Sequence, residues 1–106
     1  MDEAGYNAQV SQVFKRLLKA LDEVDPDVLE ADATGDMVTI TVPKSGEKVV
    51  VNTQRAVHQV WVAGAGHGIH FSCDGARWLD DKGKGLELLA WVKSCVEKAS
   101  GQSLAL

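Results

Sequence analysis

The sequence predicts an α+β fold, a two-layer α/β sandwich in which one antiparallel sheet of five or six strands packs on an N-terminal and a C-terminal helix. Three observations predict it. Apolar residues recur at spacings of three and four near both ends of the chain, over roughly 4–23 and 86–99. Between these segments lie short runs with an apolar residue at every second position, separated by turn signals. Pairing between such runs is local, so an antiparallel meander is the economical topology. A single sheet cannot leave an apolar face in water. Two amphipathic helices laid across one face would cover it and leave the other face open. The 106 residues suit one domain, 1–106, with one modest core.

In the first helix the stripe is Tyr6, Val10, Val13, Phe14, Leu17 and Leu21, widened by Leu18 and Val24, with Lys15, Arg16 and Lys19 on other faces. Pro26 cannot continue a helix and disfavours helical geometry at Asp25, so the helix should stop near Glu23 or Val24. Residues 28–33 make a weak edge strand, with Leu29, Ala31 and Ala33 on one side and Glu30 and Asp32 on the other; open-face acids would keep other chains from pairing there. Thr34-Gly35-Asp36 is a turn signal. Residues 37–42 form a stronger strand with Val38, Ile40 and Val42 inward. Pro43-Lys44-Ser45-Gly46 turns the chain into a return strand over 47–52. A polar link, Asn52 to Arg55, leads to a strand over roughly His58 to Ala63. Further short strands follow at 69–72 and 77–79, the last carrying Trp78. The closing helix presents Leu88, Leu89, Val92, Cys95, Val96 and Ala99, with Trp91 beside them. Lys93 and Lys98 lie toward its C-terminus, as the helix dipole favours. Ser100-Gly101 is a stop, and the apolar tail 103–106 either tucks against the helices or frays.

Composition narrows the function classes. Net charge is −4, which argues against general nucleic-acid binding, because that rests on neutralising phosphates. It suits cations or a basic partner protein. Cys73 and Cys95 form no C-x-x-C pair and make no zinc set; they read as reduced, partly buried thiols. The first residues lack the basic and apolar regions of a secretion signal and the Arg-rich character of a transit peptide, and no apolar run is long enough to span a bilayer. The expected compartment is therefore the one where the chain is made.

The stretch from Asn52 to Phe71 organises the rest. Val60 and Val62 should face the core, which turns Gln59 and Trp61 to the opposite, open face. A solvated face is normally polar, and an indole has a large apolar area to hide. Either a neighbour covers Trp61, or it is an exposed aromatic anchor for a partner protein. Gly64, Gly66 and Gly68 crowd the next turn. A phosphate loop is not expected there, because the order is not G-x-G-x-x-G and strands flank it on both sides; a flexible hairpin is.

Two further groups bear on chemistry. Asp22, Glu23, Asp25, Asp27, Glu30 and Asp32 fall within eleven residues. They make either a solvated acidic surface or a hard-oxygen site suited to iron, manganese, calcium or magnesium, and could equally dock an Arg-rich partner. They straddle a helix end and a strand edge, so no compact cage is expected. His58 and His70 fall on strands and His67 in the Gly-rich turn. No H-x-x-x-H or H-E-x-x-H spacing exists, so solvent or carboxylate hydrogen bonding is the first expectation for them. No catalytic set is expected. Cys73 and His70, the one tempting couple, are an odd number of residues apart and should point to opposite faces.

The chain resembles the frataxin family, and within it the bacterial members. The residues that carry the resemblance are Asn52-x-Gln54, Gln59-x-Trp61, the G-x-H-F run of Gly68, His70 and Phe71, Asp74-Gly75-x-x-Trp78, and Asp81-x-Gly83 before a Leu-rich closing helix. Their order and spacing span nearly the whole chain. Two departures stand out. Ala56 replaces the proline usual two residues after Gln54. The acidic ridge that the family carries matches here only at Asp22, Glu23, Asp25, Asp27, Glu30 and Asp32, with Lys15, Arg16 and Lys19 upstream, which counts against strong iron loading more than against partner binding.

The resemblance implies a bacterial cytoplasmic protein, monomeric without iron. It implies a regulator of iron-sulphur cluster assembly that binds the cysteine desulphurase–scaffold complex through Asn52, Gln59 and Trp61. Arg55 could complement a partner carboxylate beside them. The six carboxylates would bind ferrous or ferric iron weakly. The alternatives are iron chaperoning, storage or ferroxidation, and a generic adaptor of an unrelated pathway.

Overall fold

The computed structural model describes residues 1–106. The order is α1 (Glu3–Asp22), β1 (Glu30–Ala33), β2 (Met37–Thr41), β3 (Lys48–Gln54), a 3-10 turn (Arg55–Val57), β4 (Gln59–Gly64), β5 (His67–Cys73), β6 (Trp78–Asp80) and α2 (Leu88–Ser100). The six strands form one sheet in chain order, every neighbour antiparallel. Both helices lie on one face. The expected sandwich is therefore the one observed.

Each helix buries the stripe that its spacing predicts. In α1 Tyr6, Val10, Val13, Phe14, Leu17, Ala20 and Leu21 are buried; in α2 Leu88, Leu89, Val92, Cys95 and Val96. They meet Val38, Ile40, Val49, Val51, Val60, Val62 and Phe71 from the sheet in a single core. Fully burying one leucine such as Leu17 or Leu88 stabilises the fold by about 1.5–3 kcal/mol. The Asp2 carboxylate accepts from Gly5 N and caps α1, while the Glu87 carboxylate accepts from Leu89 N and Ala90 N and caps α2. The Glu87 cap is why α2 begins at Leu88 and not at Leu86. The tail tucks in, with Leu104 1 % exposed.

Several boundaries differ from the sequence reading. The edge strand is shorter than 28–33, and although Ala31 and Ala33 pair with the inward Ile40 and Val38, both are exposed. An edge strand with small side chains reaches past the cover of the helices. His58 is not in a strand. It closes the 3-10 turn at φ 53, which delays β4 to Gln59. β5 begins at His67, not Ile69, because the turn between β4 and β5 is only two residues, Ala65 and Gly66. Both have positive φ, as a tight hairpin with primed geometry requires. Gly64 and Gly68 are strand residues. At Gly64 an added β carbon would sit 3.3 Å from Cys95 Cβ, Cys95 Sγ and Val49 Cγ1, so glycine lets α2 approach the sheet.

Two polar devices hold the end of the sheet where β4, β5 and β6 meet the connections to the helices. Asp80 is 7 % exposed, and its carboxylate accepts from Lys84 N and Leu86 N at 2.8 Å, ordering the link into α2. The Lys84 N–H, above all, holds this carboxyl below the usual range. Close by, Tyr6 donates its hydroxyl to Gln59 O on β4 at 2.7 Å and stacks on His58 with ring centroids 5.0 Å apart.

Candidate interaction face

The open sheet face is built by strand parity. Val60, Val62 and Phe71 point into the core, so Gln59, Trp61, Ala63, His70 and Ser72 point away from it. Register then sets the rows across the sheet. Asn52 pairs with Trp61, and Trp61 with His70, so three consecutive strands contribute one row. The Trp61 and His70 rings are tilted 36° with centroids 6.3 Å apart. Asn52, Gln59, Trp61 and His70 are all partly buried. Gln59 Nε2 donates to Ser72 Oγ at 3.0 Å and toward Asp81 Oδ2 at 3.4 Å. Trp61 thus faces the open side, and its neighbours on β5 cover part of the ring.

Glu30 pairs with Thr41 and Asp32 with Thr39, on the same face as Trp61. β1 and β4 are three strand spacings apart, about 14 Å at the usual interstrand distance. Carboxylates and indole therefore lie on one continuous surface. The six predicted acids do not all share it. Asp22, Glu30 and Asp32 border a groove of about 680 Å³ between the end of α1 and β1, with Lys19 among them. Glu23 faces Arg16, Lys19 and the C-terminal Leu106 instead. Asp25 Oδ1 accepts from Asp27 N at 2.8 Å. All six are exposed, and none forms an ion pair with the neighbouring cations; the two ion pairs are Arg55–Asp36 and Arg77–Asp74. No three His, Cys, Asp or Glu side chains converge to hold a metal ion. An iron ion here would be cargo held by one or two carboxylates, with most of its water shell retained.

Arg55 departs from the sequence reading. Its Nε donates to Asp36 Oδ1 at 2.6 Å, Nη1 to Asn7 Oδ1 at 2.6 Å and Nη2 to Gly35 O at 3.3 Å. It joins α1, the β1–β2 turn and the 3-10 turn, and three of its five N–H groups donate within the chain. The Arg55 guanidinium and the Thr53 hydroxyl hold the Asp36 carboxyl below the usual range. The signal for this latch in the sequence is slight, because nothing local links Asn7, Asp36 and Arg55.

The histidines do not converge. His58 stacks on Tyr6, His67 meets Trp91 edge-on at 6.2 Å on the helix side, and His70 lies beside Trp61 with Nδ1 buried and without a partner. Cys73 is partly buried and Cys95 fully; both are free thiols, and burial pushes the Cys95 thiol up. No helix is long and apolar enough to cross a membrane.

The frataxin-like domain profile matches residues 1–102. The chain belongs to the frataxin-like family. Two curated relatives cover its full length. The iron-sulfur cluster assembly protein CyaY of Tolumonas auensis is 30% identical over 106 residues, which is 100% of this chain and 99% of that one. The CyaY of Cupriavidus metallidurans is 32% identical over 110 residues, covering 100% and 96%. Among solved structures, a CyaY-family frataxin from Psychromonas ingrahamii superposes with a TM-score of 0.85 over 98% of this chain and 96% of that one, at 23% identity, which bears on the fold.

Proposed function

We propose that this protein takes part in iron-sulphur cluster assembly as a non-catalytic regulator. It docks on the cysteine desulphurase–scaffold complex through its open sheet face and tunes sulphur transfer or cluster formation. The name carried by its full-length relatives supports the pathway. One observation carries the surface: the row Asn52–Trp61–His70 lies on the uncovered face that Glu30 and Asp32 border. Trp61 supplies apolar area to a partner, and Asn52 and Gln59 supply hydrogen bonds that fix register. Glu30 and Asp32 steer an Arg-rich partner surface, which raises the association rate more than the affinity. Arg55 serves the fold in this account, not the partner.

Iron enters as weakly held cargo, ferrous or ferric, at the Asp22–Glu30–Asp32 groove, and the protein is a monomer without it. High-capacity storage is disfavoured by the scattered carboxylates and by Lys19 among them. The cytoplasm of a bacterium is the expected setting.

The test is affinity for the desulphurase–scaffold complex, measured for wild type and Trp61→Ala. The expected loss is on the order of 30-fold or more, the range of an aromatic hot spot, with little change in thermal stability. Unchanged affinity together with a large fall in stability would assign Trp61 to the fold and sink the docking face.

A further inference from the structure

Gly68 stands within β5, and its φ lies outside the left-handed region, so its own backbone does not require glycine. Its surroundings do. A β carbon built there would lie 2.8 Å from Trp61 Nε1, 3.1 Å from Cζ2 and 3.2 Å from Cε2. A non-bonded β carbon does not sit 2.8 Å from another heavy atom, so the indole would have to move. Register explains the contact. Trp61 pairs with His70, which makes Gly68 its diagonal neighbour two residues back along β5, a position that aromatic side chains reach. The ring therefore leans along the strand into the gap that the missing side chain leaves, with the His70 imidazole beside it.

We propose that Gly68 is the positioning residue for Trp61: its bare Cα is a seat that parks the indole in one orientation on the open face before any partner arrives. This inference rests on the docking face proposed above and adds which residue sets the geometry of its anchor. A ring already held loses little freedom on binding, whereas a ring swinging into solvent must be ordered by the partner, at a several-fold cost in affinity. The seat also limits which part of the indole is offered. The pyrrole edge and the adjoining Cζ2 are turned to Gly68, and the remainder of the ring is left for the partner.

The experiment uses the full chain labelled with 5-fluorotryptophan, whose fluorine signals separate Trp61 from Trp78 and Trp91. It adds affinity for the desulphurase–scaffold complex and thermal melting. Four proteins are compared: wild type, Gly68→Ala, Trp61→Ala and the double variant. Gly68→Ala is expected to move the Trp61 signal, leave the other two in place, and weaken binding about five- to tenfold. In the Trp61→Ala background the same change should not weaken binding further and should leave melting unchanged or slightly raised, because the clashing ring is gone and alanine restricts the unfolded chain. The double variant also keeps the test decisive if Gly68→Ala alone folds poorly: recovery of the fold when the ring is removed supports the seat. An unmoved Trp61 signal, wild-type affinity despite a moved signal, or an equal loss in the Trp61→Ala background each overturns it. Wild-type affinity in Trp61→Ala itself overturns the docking face, and with it the role of the seat in binding. The fluorine signals test the Gly68–Trp61 contact independently of that result.

Discussion

Ala65 holds φ 52 in the two-residue hairpin between β4 and β5, a conformation that costs a residue with a β carbon about 1–2 kcal/mol. Ala65→Gly should therefore stabilise the protein, by up to about 1 kcal/mol after glycine's greater freedom in the unfolded chain is subtracted. Urea denaturation checks this, and a lowered midpoint would contradict it. Asp36 gives a pH signature. Its carboxyl is lowered in the folded protein, first by hydrogen bonding to Arg55 and then by the Thr53 hydroxyl. Such a group contributes stability that is fully present above the unfolded value, near pH 4, and is lost as pH falls through the lower folded value. Wild type should exceed Asp36→Asn in stability at neutral pH, and the gap should close on acidification below about pH 4. A gap that stays constant down to pH 2 would contradict the latch. At this scale the sequence was only partly readable. Alternation put Trp61 on the open face and Val60 inward. The diagonal lean of the indole over Gly68 needs the register of β4 on β5, and the Arg55 latch joins residues 48 positions apart.

At the scale of elements, stripes at helical spacing gave both helices because each stripe is continuous over several turns. The short strands were harder to bound. His58 looked like strand because it precedes a clean alternation, yet it closes a 3-10 turn by donating its N–H to Arg55 O. That turn bears on Ala56, the position where the family resemblance drawn from the sequence implies proline. Ala56 is the second residue of the Arg55–His58 turn and is exposed, a position where proline's fixed φ is favoured. Ala56→Pro should raise stability by about 0.4–1 kcal/mol, chiefly by restricting the unfolded chain. Thermal denaturation reads this directly, and destabilisation would show that the turn needs the Ala56 N–H.

At the scale of the whole molecule, the helices cover one sheet face and leave the other as a surface with two chemistries, an aromatic row in its middle strands and carboxylates along one edge. The strands that carry them, β4 and β1, are about 14 Å apart, and even with the offset along the strands the two groups fit within one protein–protein interface of ordinary size. Alternation already put Glu30 and Asp32 on the open face with Trp61, and the fold completes the sorting of the six acids by turning Glu23 toward the C-terminal tail.

That sorting sharpens the most direct test of the central claim, which is desulphurase turnover in the presence of its scaffold, with and without this protein and with and without ferrous iron. Wild type should be run beside Trp61→Ala, Glu30→Gln/Asp32→Asn and Glu23→Gln. The account predicts a rate change with wild type that is lost in Trp61→Ala, reduced in Glu30→Gln/Asp32→Asn and retained in Glu23→Gln. No effect of the wild-type protein, or an effect indifferent to Trp61, would contradict it.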